Sequence, residues 1–391
     1  MSTNSSPKFE DALRQLIAEP SISSTQTEID MGNSGVTDLL ANWLDAQGFD
    51  VELQPISESG SKVNLYATIG ANKETDEGKG GLVFSGHTDT VPCDPDLWDG
   101  QPFALQKNSF GYQGLGATDM KGFFAVLLQT LGQLDLDKLK KPLTIVATAD
   151  EETTMSGARA LLREKVASAE AVIIGEPTDL KPIRMHKGIM MESIRVQGIG
   201  GHSSDPELGL NAMEVMYEVL GGLLSLRRQL QQEYQHSGFA VCVPTLNPGC
   251  IHGGDNPNRI CSHCEIEFDV RTLPGMLSNR LRAQIDEMNE PIANKWNCSI
   301  ERQTLLQGIE SFEQHQDSNL VRLAEQLSNT SSSAVSFATE APFYKDFGLE
   351  TLVMGPGSID QAHAINEYLP GDQIDPAIEI YTSLINNYCF R

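Results

Sequence analysis

LTIVATADEE, residues 143–152, is an apolar run of strand length that stops abruptly on three consecutive acids. The same pattern occurs twice more, where Leu82 to Ser85 leads into Gly86-His87-Thr88-Asp89 and Ala171 to Ile174 leads into Gly175-Glu176-Pro177-Thr178. Runs without polar alternation describe strands buried on both faces. Helical spacing separates them, most clearly in Lys121 to Leu134 with Phe123, Phe124, Leu127, Leu128 and Leu131. Buried strands alternating with helices predict an α/β fold, a central and mostly parallel sheet flanked by helices. Such sheets carry their chemistry at the carboxyl ends of the strands. The acids that close each run therefore stand where a site is expected.

Upstream, Val36, Leu39, Leu40, Trp43 and Leu44 predict an amphipathic helix between Gly35 and Gly48. From about Gly188 the texture changes. Alternation in Met191 to Val196 and Ile260 to Val270 brackets a long helix from about Asn211 to Gln232. This reads as a second, smaller α+β unit inserted into the first, giving residues 1–187, 188–302 and 303–391 as the expected divisions. A helix near Asn319 to Leu327, a strand from Thr351 to Met354 and a helix from Pro376 to Tyr388 complete the outer unit. Thr75 to Gly81 reads as an exposed acidic, Gly-rich loop.

The 391 residues are too many for one ordinary core, which agrees with two domains. Lys+Arg 28 against Asp+Glu 53 leaves a formal charge of −25, a field that repels nucleic acid and anionic lipid. No apolar run approaches membrane-spanning length, and MSTNSSPKFED lacks the apolar core of a secretion signal, so the expected location is cytoplasmic. Seven cysteines, odd in number and sparse, suit reduced thiols. Cys261-Ser262-His263-Cys264 lacks a second ligand pair and reads as strand packing. No GxGxxG follows a strand, and GxSxG and P-loop patterns are missing.

On an extended backbone His87 and Asp89 project to one side, where a carboxylate can fix the imidazole tautomer and leave the other nitrogen for a metal. His-x-Asp alone is a weak signal. Asp119, delivered by a Gly-rich loop just before a helix, is equally a helix cap. Asp150-Glu151-Glu152 crowd charge that is costly without a cation. His363 follows Gly355-Pro356-Gly357-Ser358 beyond another apolar strand, where a surface or core histidine is the ordinary reading. Together the strand ends supply two imidazoles and several carboxylates, a mixed N/O set that zinc or cobalt accepts.

Taken in order, GHTDTVP from Gly86, GLGATDMKGF from Gly114, ADEE from Ala149, GEPT from Gly175, GGHSSDP from Gly200 and QAH ending at His363 resemble, nearly end to end, the dinuclear zinc family of aminoacylases, desuccinylases and carboxypeptidases, and within it the acetylornithine deacetylases. The resemblance implies a zinc exopeptidase-like catalytic domain with an inserted ferredoxin-like dimerisation domain. It implies two Zn2+, with Co2+ as a substitute. His87, Asp119 and Glu176 would bind one ion, and Asp119, Glu152 and His363 the other. It makes Asp89 the residue that orients His87, Glu151 the general base, and the peptide after Asp119 cis. His202 would reach across a homodimer interface to the partner's oxyanion, and Asn258 and Arg271 would hold the substrate carboxylate. Thr339 to Phe343 resembles the deacetylase branch, which makes Glu340 a substrate contact. The implied reaction is hydrolysis of N2-acetyl-L-ornithine to L-ornithine and acetate, a step of arginine biosynthesis. Succinyl-diaminopimelate desuccinylation, a broader deacylation of small N-acyl amino acids, and a non-catalytic metal-binding role are the alternatives.

Overall fold

The computed structural model describes residues 7–70 and 80–391, so positions 75–79 of the expected acidic loop lie outside the described residues. The chain forms two compact units, one comprising residues up to Arg184 with Gln314–Ser333 and Thr339–Arg391, the other Met185–Glu313 with Ala334–Ala338. Among the described residues no helix is long and apolar enough to cross a membrane.

The first unit is built on a mixed, mostly parallel sheet. Six of its strands run in the order Asp50–Pro55, Val63–Ile69, Leu143–Thr148, Leu82–His87, Ala171–Pro177 and Glu350–Gly355. The last four are mutually parallel and the first two join antiparallel at one edge. Leu82–His87, Leu143–Thr148 and Ala171–Pro177 are buried along their whole length, which is why their sequences show no alternation. Register aligns their ends: His87 is level with Thr148, and Ser85 with Ile174, so Glu176 leaves its strand beside His87.

The Lys121–Leu131 helix is buried on nearly every side. It lies close to the sheet because two strand residues have no side chain. A Cβ on Gly175 would fall 2.1 Å from the Phe123 ring, and one on Gly86 would fall 2.4 Å from the Met120 methyl. Each of these glycines immediately precedes a functional candidate, His87 or Glu176. The same contact that buries Phe123, worth about 1.5–3 kcal/mol, therefore sets Asp119, at the head of the helix, next to both strand ends. The Phe9–Ala18 helix buries Phe9, Ala12, Leu13, Leu16 and Ile17, a stripe at 3–4 residue spacing that packs in the same core.

The second unit contains an antiparallel sheet in the order Thr245–Gly253, His263–Thr272, Gly188–Gln197, Ser299–Ile309. The helices Ala212–Glu233 and Ser278–Trp296 complete a βαββαβ chain path, the ferredoxin-like arrangement. Asn211 caps the first helix by accepting from the Met213 amide at 3.0 Å. Arg302 lies inside a strand, level with Ile194, and the strand continues to Ile309. Its guanidinium and that of Arg282 each hold the fully buried Glu192 carboxylate at 2.7 Å.

Candidate metal centre

In the first unit the acids at the strand ends converge. His87 Nε2 is 2.9 Å from Asp119 Oδ1 and 3.9 Å from Glu176 Oε2. Asp119 Oδ2 faces His363 Nε2 at 3.6 Å, and that nitrogen is 2.9 Å from Glu152 Oε2. Two overlapping groups, His87/Asp119/Glu152 and His87/Glu151/Glu176, each bring their donor atoms within 4.8 Å of one another. Segments distant in sequence thus place His87, Asp119, Glu151, Glu152, Glu176 and His363 around one point.

Local structure aims these side chains. The Asp119–Met120 peptide is cis. Asp150 takes a left-handed backbone (φ 57°), and its carboxylate is held by Ser23, Lys62 and Ser156, so the acid turn is anchored before Glu151 begins. Asp89 is engaged differently from the simple orienting role. The close partner of His87 Nδ1 is the Asp89 backbone carbonyl at 3.0 Å, with the carboxylate at 3.6 Å. That carboxylate accepts from the Glu151 and Glu152 amides, both at 3.1 Å, and so fixes the turn that carries the two acids.

The electrostatics of the cluster call for positive charge. Burial pushes the Glu151 carboxyl well above its usual range, and the charge of Glu176 adds to the shift. Burial likewise raises Glu176 strongly and Glu152 to a lesser degree. Burial alone would lower the His87 pKa, but its hydrogen bond to Asp119 and the charges of Glu176, Asp119 and Asp89 hold it well above the ordinary value. Glu176 Oε1 is buried with no hydrogen-bond partner. An orphaned carboxylate oxygen within a cluster of acids that also holds two imidazoles fits divalent cations in a nitrogen and oxygen environment.

Glu340 is buried deeper on the same face of the sheet. Ser85 Oγ donates to its Oε2 at 3.3 Å, its Oε1 has no partner, and burial pushes its pKa up to about 6. In the second unit His202 and Asn258 are neighbours. His202 bridges Arg259, and the Ser203 amide donates to the Asn258 carbonyl at 3.1 Å. The His202 ring is exposed, with Nδ1 2.7 Å from Ser204 Oγ. Arg271 sits near the opposite end of the His263–Thr272 strand, its Nε 3.1 Å from Asp269 Oδ2. The structure does not bring Arg271 together with the other two. Glu367 is a residue that sequence reasoning missed: it is buried and receives three backbone amides from the loop that carries Asp119. Its one sequence signal is its place four residues after His363.

Solved structures with the same fold include aminopeptidase PepT of Bacillus cereus, 17% identical over 98% of this chain and 99% of that one, with a TM-score of 0.75. An M20 family metallo-carboxypeptidase of Sulfolobus solfataricus is 17% identical over 97% and 98%, with a TM-score of 0.72. A dinuclear metal binding peptidase of Bacillus subtilis is 15% identical over 96% of each chain, with a TM-score of 0.67. Residues 83–387, which contain every strand-end acid and both imidazoles of the cluster, match the pattern of one family throughout. The chain belongs to peptidase family M20/M25/M40 and is a metal-dependent hydrolase of peptide or amide bonds.

Proposed function

We propose that this hydrolase removes the acetyl group of N2-acetyl-L-ornithine, releasing L-ornithine for arginine biosynthesis in the cytoplasm. The reaction class rests on the convergence of six side chains at the strand ends. The choice of substrate rests on the deacetylase-like motifs, including Thr339 to Phe343.

His87, Asp119 and Glu176 would hold one zinc ion, and Asp119, Glu152 and His363 the second, with cobalt as a working substitute. When bound, the pair supplies Lewis acidity and lowers the pKa of water toward neutrality. Glu151 takes the proton of the attacking water as it adds to the acyl carbonyl, then delivers it to the departing amine nitrogen, so that one water is divided between acetate and ornithine. Asp89 holds Glu151 and Glu152 in place through their amides. Glu340, with one unpartnered carboxylate oxygen, is assigned to the substrate's cationic side chain.

His202 and Asn258 on one side, and Arg271 on the other, are separated by eight residues of regular strand or more, on the order of 26 Å. One copy of the second unit cannot offer both ends to one small substrate. We therefore assign Arg271 to the substrate carboxylate of its own chain, and His202 with Asn258 to the site of a partner in a homodimer. The Thr245–Gly253 edge strand and the adjoining helix expose Ile251 (57%), Met213 (47%) and Tyr217 (79%), an apolar face suited to a second copy.

The test is a substrate panel: N-acetyl derivatives of ornithine, methionine and glutamate, N-succinyl-diaminopimelate, and short peptides, compared by kcat/KM. N-acetylornithine is expected to lead. A lead for N-succinyl-diaminopimelate or for peptides would reject the substrate while keeping the metal chemistry.

A further inference from the structure

We infer that Glu367 is a positioning residue that fixes Asp119 and His363 relative to each other. The inference rests on the metal-binding reading above and concerns a residue outside the proposed ligand set. The Glu367 side chain is 1% exposed. Its Oε2 accepts from the Gly116 amide at 2.8 Å, and its Oε1 accepts from the Thr118 and Asp119 amides at 2.7 and 2.9 Å. Both oxygens accept from this loop, and three amides that would otherwise be buried without partners are satisfied by one side chain.

The clamp works in two directions. The Asp119 amide is held one residue's backbone away from the carboxylate that meets His87 and His363, so the aim of that carboxylate is set from Glu367. In the other direction Glu367 ties down its own segment. Its backbone carbonyl accepts from the Gly114 amide at 3.0 Å, and the Tyr368 carbonyl accepts from Thr118 Oγ1 at 2.6 Å. His363, four residues earlier, has a left-handed backbone (φ 60°) and an exposed side chain; Asn366 ties the same segment to Asp99 and Gln113, and the Glu367 attachment is the one that registers it against the Asp119 loop. Two candidate ligands from distant parts of the chain share one buried carboxylate as their reference point.

Glutamine in place of Glu367 turns one acceptor into an N–H donor facing N–H groups. Aspartate keeps the charge but is one methylene too short to reach all three. The experiment compares the full-length unmodified chain with Glu367→Gln and Glu367→Asp by zinc titration against a chromophoric chelator. Amide exchange of the metal-free proteins is followed in parallel. The unmodified chain is expected to bind two zinc equivalents. In both variants one equivalent, the one held by His363, weakens by about 10- to 100-fold, while the other changes less. Exchange accelerates at Gly116, Thr118 and Asp119 but not in the Leu143–Thr148 strand. Unchanged binding of both equivalents would overturn the assignment. A variant that fails to fold, or that exchanges faster throughout, would overturn it too, because Glu367 would then belong to the general scaffold. Failure of the unmodified chain itself to bind zinc would instead overturn the metal-centre reading on which the inference stands.

Discussion

Glu151 differs from its neighbours in what its removal should do. Its amide is fixed by Asp89, and its carboxyl is raised by burial beside Glu176, the condition of a group poised to take and return a proton. Glu151→Gln is expected to retain both zinc equivalents and to lose about 10²- to 10⁴-fold in kcat. Near-normal turnover in that variant would remove Glu151 from its role. A second residue-scale prediction concerns His186 in the second unit, fully buried, with burial lowering its pKa to about 4. Below pH 6.5 the unfolded chain takes up a proton that the native ring refuses, so native stability falls as pH drops from about 6.5 to about 4 and levels off beneath that. The slope, about 3 kcal/mol in total, should flatten in His186→Phe when unfolding is followed across that window; an unaltered slope would assign it to other groups. At this scale the sequence marks the strand-end acids and imidazoles, because an acid directly after a buried strand is unusual. It does not mark Glu367, whose partners are the backbone amides of Gly116, Thr118 and Asp119, which no side-chain pattern reports.

Elements acquire functional meaning through how closely they approach. The Lys121–Leu131 helix carries Asp119 at its head and presses Phe123 onto Gly175, where a Cβ would lie 2.1–2.4 Å from ring atoms. Gly175→Ala is expected to destabilise the protein by about 1–3 kcal/mol in urea unfolding. Phe123→Leu in the same chain should recover part of that loss, whereas strictly additive effects would mean that the two positions do not press on each other. Helices with a continuous apolar stripe were legible from spacing: Lys121–Leu131, Ala212–Glu233 and Ile374–Cys389 lie within a few residues of the ranges read from the sequence. The Ser278–Trp296 helix was not, since it buries only Ser278, Leu281, Ile285 and Asn289 and contains Pro291. The Asp50–Pro55 strand alternates polar and apolar residues but is too short and too exposed at a sheet edge to stand out, with Val51 half-buried and Leu53 40% exposed. The Ser299–Ile309 strand loses its alternation where its register shifts between Thr304 and Leu306 and again before Ile309, which hides its length from a pattern of period two.

For the whole molecule, the sheet class was legible because parallel strands buried on both faces write continuous apolar runs. Whether two copies share a site is not a local property and leaves no such trace. If His202 serves the partner's site, two inactive variants should rescue each other. Mixing Glu151→Gln with His202→Ala and allowing subunits to exchange pairs an intact Glu151 with an intact His202 at one site of each mixed dimer, restoring about one quarter of full activity. No recovery in a demonstrably mixed dimer would confine His202 to its own chain. The proposed hydrolysis depends on His87, Asp119, Glu152, Glu176 and His363 enclosing cations. Its most direct test is ornithine release from N-acetylornithine by chelator-stripped protein as zinc is returned in measured equivalents. The expected result is negligible release without zinc, rising to a plateau at two equivalents per chain. Full release from the stripped protein, or none at any zinc level, would contradict it.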